Sequence, residues 1–166
     1  MIKQFTSLGL MSGTSGDGVD ASIIQSDGNT KYEIIADKYF EYEDQIYKKI
    51  HYVKERINLF KDLEKNFENL RDLERKITLF HSRIVKELSE NKVIDLIGFH
   101  GQTIYHNPEE NISKQLGDGR LLSQLTKKNV VFNFRKKDID NGGEGAPLTP
   151  IFHQLVASQL KMDLPV

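Results

Sequence analysis

The sequence predicts an α/β fold in which a mixed five-stranded sheet opens with an antiparallel three-stranded meander and is flanked by helices. Alternating apolar segments separated by turn residues fill residues 5–42, which is typical of antiparallel strands. Residues 43–91 contain no glycine or proline, and their apolar residues recur every three or four positions, as in amphipathic helices. Two further apolar runs, at residues 93–99 and 129–134, follow helical segments, as expected of strands reached by crossover connections.

Length and composition fit one globular domain. With 166 residues, the chain is long enough to bury roughly two-thirds of its unfolded surface. Its formal net charge of -1 does not indicate a basic surface that binds nucleic acid. The absence of cysteine excludes a disulfide framework and thiolate metal ligands. The sequence shows neither a secretory signal pattern nor an apolar run long enough to cross a bilayer. We therefore expect a cytoplasmic protein without nucleic-acid or membrane partners.

The first three strands follow one another through turns. Apolar residues lead into the first loop from Phe5 and leave it from Val19 to Ile24, which predicts a hairpin. The Asp-Gly-Asn turn at residues 27–29 separates this hairpin from a third strand, predicted over residues 32–42.

We expect two helices next, with a break at residues 59–62. The second helix is predicted to begin at an Asp62 cap and to end near Ser89. The predicted apolar faces are Ile46, Ile50, Val53, Ile57 and Phe60 in the first helix, and Leu63, Phe67, Leu70, Leu73, Ile77, Phe80, Ile84 and Leu88 in the second. Charged residues between these positions indicate a solvated face. His51 and His81 are expected at the surface or at the boundary of the core.

Polar segments follow both of the later strands. The strand at residues 93–99 places His100 and Gln102 at its carboxyl end, where ligands bind in open α/β sheets. The remaining predicted elements are an irregular segment at 106–113, a helix at 120–127 with Leu121, Leu122 and Leu125 inward, the strand at 129–134, a glycine-rich loop at 135–148 and a helix at 149–160 with Pro150 in its first turn.

The first hairpin loop has the composition of a phosphate-binding site. It carries three glycines, three hydroxyl side chains and two carboxylates, whereas a two-residue Asn-Gly turn would suffice to join the strands. Glycines let backbone N–H groups approach a ligand closely, and successive N–H groups hold an anion. Asp17 or Asp20 is placed to face a magnesium ion or a water bound to it. Composition alone leaves the alternative open, a long flexible turn with no ligand.

Other site patterns are weaker or absent. The chain has no G-x-x-x-x-G-K-[ST] segment, and the hairpin loop lacks the final glycine and the following helix of a nucleophile elbow. His100 and His106 have no third ligand at a fixed spacing, which disfavours a metal site. His100 indicates either a sugar contact or a buried histidine satisfied by the backbone. Arg135 offers a fork for an anion, whereas His153 is expected to be structural.

Four motifs, in this order, resemble those of the anhydro-N-acetylmuramic acid kinases. They are MSGTSGDGVD at residues 11–20, GFHGQT at 98–103, QLGD at 115–118, and the segment from FRKKD at 134–138 through GGEGAPL at 142–148. The resemblance covers the chain almost end to end. It disfavours a related sugar kinase with another substrate, because three motifs match beyond the hairpin loop.

The resemblance implies a ribonuclease H-like lobe of the actin, hexokinase and Hsp70 type, in a protein with two lobes around a nucleotide. It also implies an ATP- and Mg²⁺-dependent kinase of peptidoglycan recycling. Members of this family open the ring of 1,6-anhydro-N-acetylmuramic acid with water and transfer the γ-phosphoryl group to O6. The product is N-acetylmuramic acid 6-phosphate. The family further suggests a homodimer.

The same resemblance implies which residues bind ligands. The implied ATP-binding residues are Gly13, Thr14, Ser15, Gly16, Asp17, Gly18, Val19 and Asp20, with Asp17 oriented toward the metal through water. The implied sugar-cleft residues are His100, Gln102, Arg135 and Asp138. No catalytic residue is expected in this chain, since the aspartate thought to activate the water belongs to the second lobe of the family.

The chain departs from the family pattern at three positions and in length. Gly16 stands where the family usually has leucine, Asn133 where it has aspartate, and Glu144 where it has glutamine. We expect Gly16 to loosen the hairpin tip. Family members are more than twice as long, so residues 1–166 are expected to form a single N-terminal lobe without its partner lobe. The alternative is a non-catalytic lobe that binds sugar or a partner protein.

Overall fold

A computed structural model of the chain describes residues 3–162. Its strands are β1 (Phe5–Ser12), β2 (Gly18–Ser26), β3 (Tyr32–Glu41), β4 (Leu96–Asn107), β5 (Ile112–Leu116) and β6 (Asn129–Phe132). Its helices are α1 (Asp44–Lys54), α2 (Phe60–Lys65), α3 (Phe67–Leu88), α4 (Gly119–Thr126), α5 (Phe134–Asp140) and α6 (Pro150–Gln159).

The five predicted strands form one mixed sheet in the order β3-β2-β1-β4-β6. Strands β1, β2 and β3 pair antiparallel, which confirms the three-stranded meander. Strand β4 runs parallel to both β1 and β6, which confirms that the chain returns to the sheet through crossovers. The predicted α/β class and the helices flanking the sheet are therefore confirmed.

Strand β4 is longer than predicted, and an additional strand, β5, pairs with it. Its first part pairs with β6, and its second part, from Gln102 onward, pairs antiparallel with β5. The prediction of irregular structure over residues 106–113 is therefore wrong for the strand segments at both ends. The two strands are joined by a short turn in which Asn111 adopts a positive φ of 55°.

The predicted second helix begins earlier and is interrupted. Asp62 caps α2, but it lies in the first turn of this helix and not before it. Its carboxylate accepts from the N–H groups of Leu59 at 3.0 Å and Asn58 at 3.3 Å. Helix α2 ends at Lys65, and the side chain of the following Asn66 donates to the carbonyl of Asp62 at 2.9 Å. Phe60 and Phe67, the first residues of α2 and α3, lie outside the core with 47% and 59% exposure.

One face of the sheet, here called the inner face, packs on α1 and α3 and forms the core. Leu8 of β1, Ile50 of α1 and Ile77 of α3 are all fully buried there. His81 of α3 is also fully buried, so its predicted surface or boundary position is wrong. It packs with its ring centroid 4.9 Å from that of Phe99, because it occupies the same helical face as the apolar residues.

The last third of the chain differs from the prediction in two details. In α4, Leu122 is buried but Leu125 is 46% exposed. Strand β6 ends at Phe132, because Asn133 adopts the left-handed conformation with φ of 60° and redirects the chain into α5. Residues 134–140 are thus helical, in place of the predicted strand end and loop.

No helix among residues 3–162 combines the length and apolar character needed to cross a bilayer.

Candidate functional site

The loop between β1 and β2 is held by its carbonyl groups. The carbonyl of Gly13 accepts from the side-chain amide of Gln102 at 2.8 Å, and that of Thr14 accepts from the ammonium of Lys54. In a trans peptide, the N–H group points away from the preceding carbonyl. The N–H groups of Thr14 and Ser15 are therefore turned away from the protein body, and among the described residues they donate to no acceptor. Such outward N–H groups provide an anion-binding concavity.

The glycines of this loop have different structural roles. Gly16 is buried with φ of +74°, and a Cβ there would lie 2.8 Å from a side-chain methyl of Ile50. A Cβ at Gly18 would lie 2.4 Å from the carbonyl of Phe40. Packing thus explains both glycines, since Gly16 lies against α1, and the expected loosening of the tip at Gly16 stays a prediction. Within the described part of the chain, a Cβ at Gly13 would meet only the Ser15 hydroxyl, at 3.4 Å, so this glycine leaves space for a ligand.

The carboxylates of the loop face solvent. The hydroxyl of Ser15 donates to Asp17 at 2.6 Å, and this bond is the main reason that the pKa of the exposed Asp17 carboxyl lies below its ordinary value. Asp17 therefore carries a negative charge near neutral pH. Among the described residues no group of three histidine, cysteine or acidic side chains is arranged as a metal site. A single carboxylate nevertheless fits Mg²⁺ brought by ATP, since this ion keeps waters and takes further ligands from the phosphates.

A groove of about 700 Å³ lies on the outer face of the sheet, opposite α1 and α3. Small residues form its floor, namely Gly9 of β1, Ser22 of β2 and Gly98 of β4. Asp20 and His100 add polar groups, and the wall consists of Phe134, Arg135 and residues 146–149. The small floor residues leave room for a ligand. The groove begins next to the residues that flank the hairpin loop.

His100 and Arg135 are in direct contact at this groove. The Nδ1 of His100 donates to the carbonyl of Gly101 at 2.7 Å, so its Nε2 is free to accept from the Nε of Arg135 at 3.1 Å. Burial, together with the charge of Arg135, lowers the pKa of His100 below its ordinary value. His100 is consequently a neutral ring that orients the guanidinium.

Asp138 does not line the groove. Its carboxylate accepts from the N–H of Gly145 at 2.8 Å, while the Nη1 of Arg135 donates to the carbonyl of the same glycine at 2.8 Å. Both peptide groups of Gly145 are therefore fixed by α5. In this structure Asp138 holds the loop at residues 142–145, and its implied sugar contact stays a prediction.

Gln102 also lies elsewhere than predicted, because a bulge reverses the alternation of β4. Gly101 has φ of +73°, and the register of β4 against β1 shifts at this point. Gln102 is fully buried beneath the hairpin loop, on the inner face of the sheet, whereas His100 lies at the outer groove. Its side-chain carbonyl is buried and has no hydrogen-bond partner among residues 3–162. The structure thus brings together His100 and Arg135, and assigns Gln102 to the loop.

Several residues that contact the loop were not predicted. Lys54 contacts Thr14 from the end of α1, and the backbone N–H of Tyr42 donates to the carbonyl of Asp17 at 2.8 Å. Ser12, directly before the loop, bonds to the buried side chains of Tyr42 and His81. No local pattern marks these residues, since the contacts join positions 25 or more residues apart along the chain.

This architecture defines a class of protein. A three-stranded antiparallel meander joined to parallel strands, with helices around the sheet, is that of a lobe of the actin, hexokinase and Hsp70 type. The hairpin loop and the groove lie at adjacent positions on it.

Comparison with known sequences identifies the family. Residues 5–164 match the sequence model described as anhydro-N-acetylmuramic acid kinase, and the chain belongs to this family. It is 60% identical over 167 aligned positions to the anhydro-N-acetylmuramic acid kinase of Pelagibacter ubique (strain HTCC1062), covering 99% of this chain and 44% of that protein. The kinase of the same name from Brucella canis is 37% identical, over 95% of this chain and 43% of the relative. That of Agrobacterium fabrum is 36% identical, over 93% and 43%. The chain thus spans less than half the length of these relatives.

Proposed function

We propose that this chain is the N-terminal lobe of an ATP-dependent kinase that acts on 1,6-anhydro-N-acetylmuramic acid. The reaction opens the anhydro ring and produces N-acetylmuramic acid 6-phosphate. In this proposal the hairpin loop binds the phosphates of ATP, and the groove on the outer face holds part of the sugar. Family membership supports the reaction, and the geometry of the loop supports the division of roles.

The observation that carries the proposal is the orientation of the loop peptides. The carbonyls of Gly13 and Thr14 are bound to donors of the protein, which leaves the following N–H groups for a ligand. The open side of Gly13 lets a phosphate oxygen approach the backbone. Preorganised N–H groups stabilise charge on a phosphoryl group without reorganisation during the reaction.

Magnesium fits this loop through Asp17, which is ionised and exposed. When bound with ATP, the ion neutralises charge on the phosphates. Asp17 is the residue of this chain that would hold it, through water, and Ser15 keeps the carboxylate in place.

The groove suits an anionic sugar with a carboxylate. Arg135 presents a guanidinium whose Nε and Nη1 are fixed by His100 and Gly145, so the remaining amino group keeps a defined direction. We propose that this group binds the carboxylate of the muramic acid. Asp138 fixes Gly145 next to the wall of the groove, and Gln102 fixes the hairpin loop through the carbonyl of Gly13.

The 166 residues by themselves are expected to bind ligands without turning them over. The relatives are more than twice as long, and the family resemblance assigns the water-activating aspartate to the other lobe. Loss of an activating base costs about 10² to 10⁴ in rate, and incomplete positioning of the nucleotide costs more.

Titration of the ¹⁵N-labelled chain with Mg²⁺·ATP and, separately, with the anhydro sugar tests the proposal. ATP should shift the amide resonances of Thr14 and Ser15, and the sugar should shift the ring of His100. A product assay with both ligands should remain at least about 10²-fold below a complete family member. Sugar binding without any effect of ATP would favour the non-catalytic lobe. Turnover at the rate of a complete enzyme, or binding of neither ligand, would refute the proposal.

A further inference from the structure

We propose that a buried network formed by Tyr42, Ser12 and His81 positions the hairpin loop for phosphate binding. This inference rests on the proposed binding of ATP by that loop. The three residues line no part of the groove, so their role is positioning and not catalysis. They connect both ends of the loop to α3 through hydrogen bonds inside the core.

Each hydrogen bond of the buried network can be assigned a donor and an acceptor. The Nδ1 of His81 lies 2.8 Å from the carbonyl of Ile77 and must donate to it, because a carbonyl only accepts. The Nε2 of His81 is then an acceptor, and the hydroxyl of Ser12 donates to it at 3.2 Å. The hydroxyl of Tyr42, at 2.9 Å, consequently donates to the oxygen of Ser12. Every polar atom of these three side chains thus has a partner.

Tyr42 contacts the loop at both of its ends. Its hydroxyl bonds to Ser12, the residue before Gly13, and its backbone N–H donates to the carbonyl of Asp17 at 2.8 Å. One residue therefore bonds to both ends of the loop, which the pairing of β1 with β2 brings close together. His81 adds an anchor on α3, whose Ile77 is fully buried and cannot shift without disturbing the core.

Burial makes this arrangement specific. Ser12 and His81 are fully buried and Tyr42 is 4% exposed. A buried hydroxyl that loses its partner is costly, so alternative positions of Ser12 are disfavoured. Burial also lowers the pKa of His81 to about 4 and raises the pKa of Tyr42, so both groups remain neutral near pH 7. The pattern of donors and acceptors is then constant under ordinary conditions.

The test uses Tyr42→Phe, which removes only a hydroxyl, and the pair His81→Leu and His81→Gln. Glutamine retains an acceptor for Ser12, whereas leucine does not. Thr78→Val is the matched control, because Thr78 is fully buried on α3 and its hydroxyl bonds to Glu74 and Asp118, away from the loop. The probe is Mg²⁺·ATP, titrated by calorimetry into the purified 166-residue chain, with the melting temperature of each variant measured in parallel.

We expect Tyr42→Phe and His81→Leu to weaken ATP binding by about three- to tenfold, the range for loss of one hydrogen bond. His81→Gln should restore most of the affinity, and Thr78→Val should bind within about twofold of the wild type despite the loss of two hydrogen bonds. Wild-type affinity in both Tyr42→Phe and His81→Leu would overturn the inference, as would an equal loss in Thr78→Val.

Hydrogen exchange separates this inference from the proposed function. If the wild-type chain binds no ATP, the proposed function fails, and the exchange rate of the Gly16 amide then decides the role of the network. This amide donates to the carbonyl of Gly13 at 3.3 Å across the loop turn. Faster exchange in Tyr42→Phe and His81→Leu than in Thr78→Val supports positioning of the loop. Equal exchange in the three variants overturns it.

Discussion

Replacing Arg135 by lysine tests how the groove recognises an anion. The guanidinium donates from Nε to His100 at 3.1 Å and from Nη1 to the carbonyl of Gly145 at 2.8 Å. Lysine keeps the positive charge, but its single ammonium group cannot reach both acceptors and also face the groove. Arg135→Lys therefore removes the fixed direction of the cation without removing its charge.

The expected loss follows from these contacts. Hydrogen bonds with a charged donor contribute about 1.5–3 kcal/mol each, and partial exposure of Arg135 reduces this to about 1 kcal/mol. We expect the free energy of unfolding to fall by about 1–2 kcal/mol. Loss of a directed contact to the sugar carboxylate should weaken sugar binding by about five- to thirtyfold.

Calorimetric titration of the anhydro sugar into the chain measures this effect. Lys136→Ala is the matched control, because the ammonium of Lys136 pairs with Asp140 at 2.9 Å on the exposed side of the same helix. The control should bind sugar as the wild type does. Wild-type affinity in Arg135→Lys would refute the assignment of Arg135, and an equal loss in Lys136→Ala would show that the loss of sugar binding is not specific to Arg135.

Three further predictions concern the loop, the wall of the groove and the core. Gly13→Val should fold, because the nearest described neighbour of the new Cβ is a side-chain hydroxyl at 3.4 Å, but should weaken ATP binding by about tenfold or more by blocking backbone approach. Unchanged affinity in a folded variant, measured by calorimetry, would contradict the phosphate role of the loop. Asp138→Ala leaves the N–H of Gly145 without its acceptor, so it should destabilise the chain by about 1–2 kcal/mol and weaken sugar binding while ATP binding is unchanged. Loss of ATP affinity in that variant would argue against a local role for Asp138. The pKa of His81 is about 4 in the folded chain and about 6.5 when unfolded, so its contribution to stability is complete above pH 6.5 and is lost as the pH falls toward 4, on the order of 3 kcal/mol. Urea unfolding at pH 7 and pH 4.5 should show a smaller loss in His81→Gln than in the wild type, and equal losses would contradict the neutral buried ring.

The fold was predictable wherever local periodicity reports burial. The meander and the apolar faces of α1 and α3 follow from repeats of two or of three to four residues, which the sheet and the helices impose directly on the sequence. The hairpin loop was also visible, since its composition exceeds what a turn requires. Helix α5 was missed because its start depends on the left-handed backbone conformation of Asn133. No apolar repeat indicates such a conformation.

Local sequence patterns were sufficient to predict the fold class, the family and the position of the hairpin loop, because these depend on residues close together along the chain. Tertiary structure decided which residues contact that loop and which face the groove. Gln102 changes face through a bulge at Gly101, and its partner Gly13 is distant in sequence. His81 is buried because Phe99 and Tyr42 pack around it. Such contacts join segments tens of residues apart, and the free energy of burying them appears only when the sheet and α3 come together.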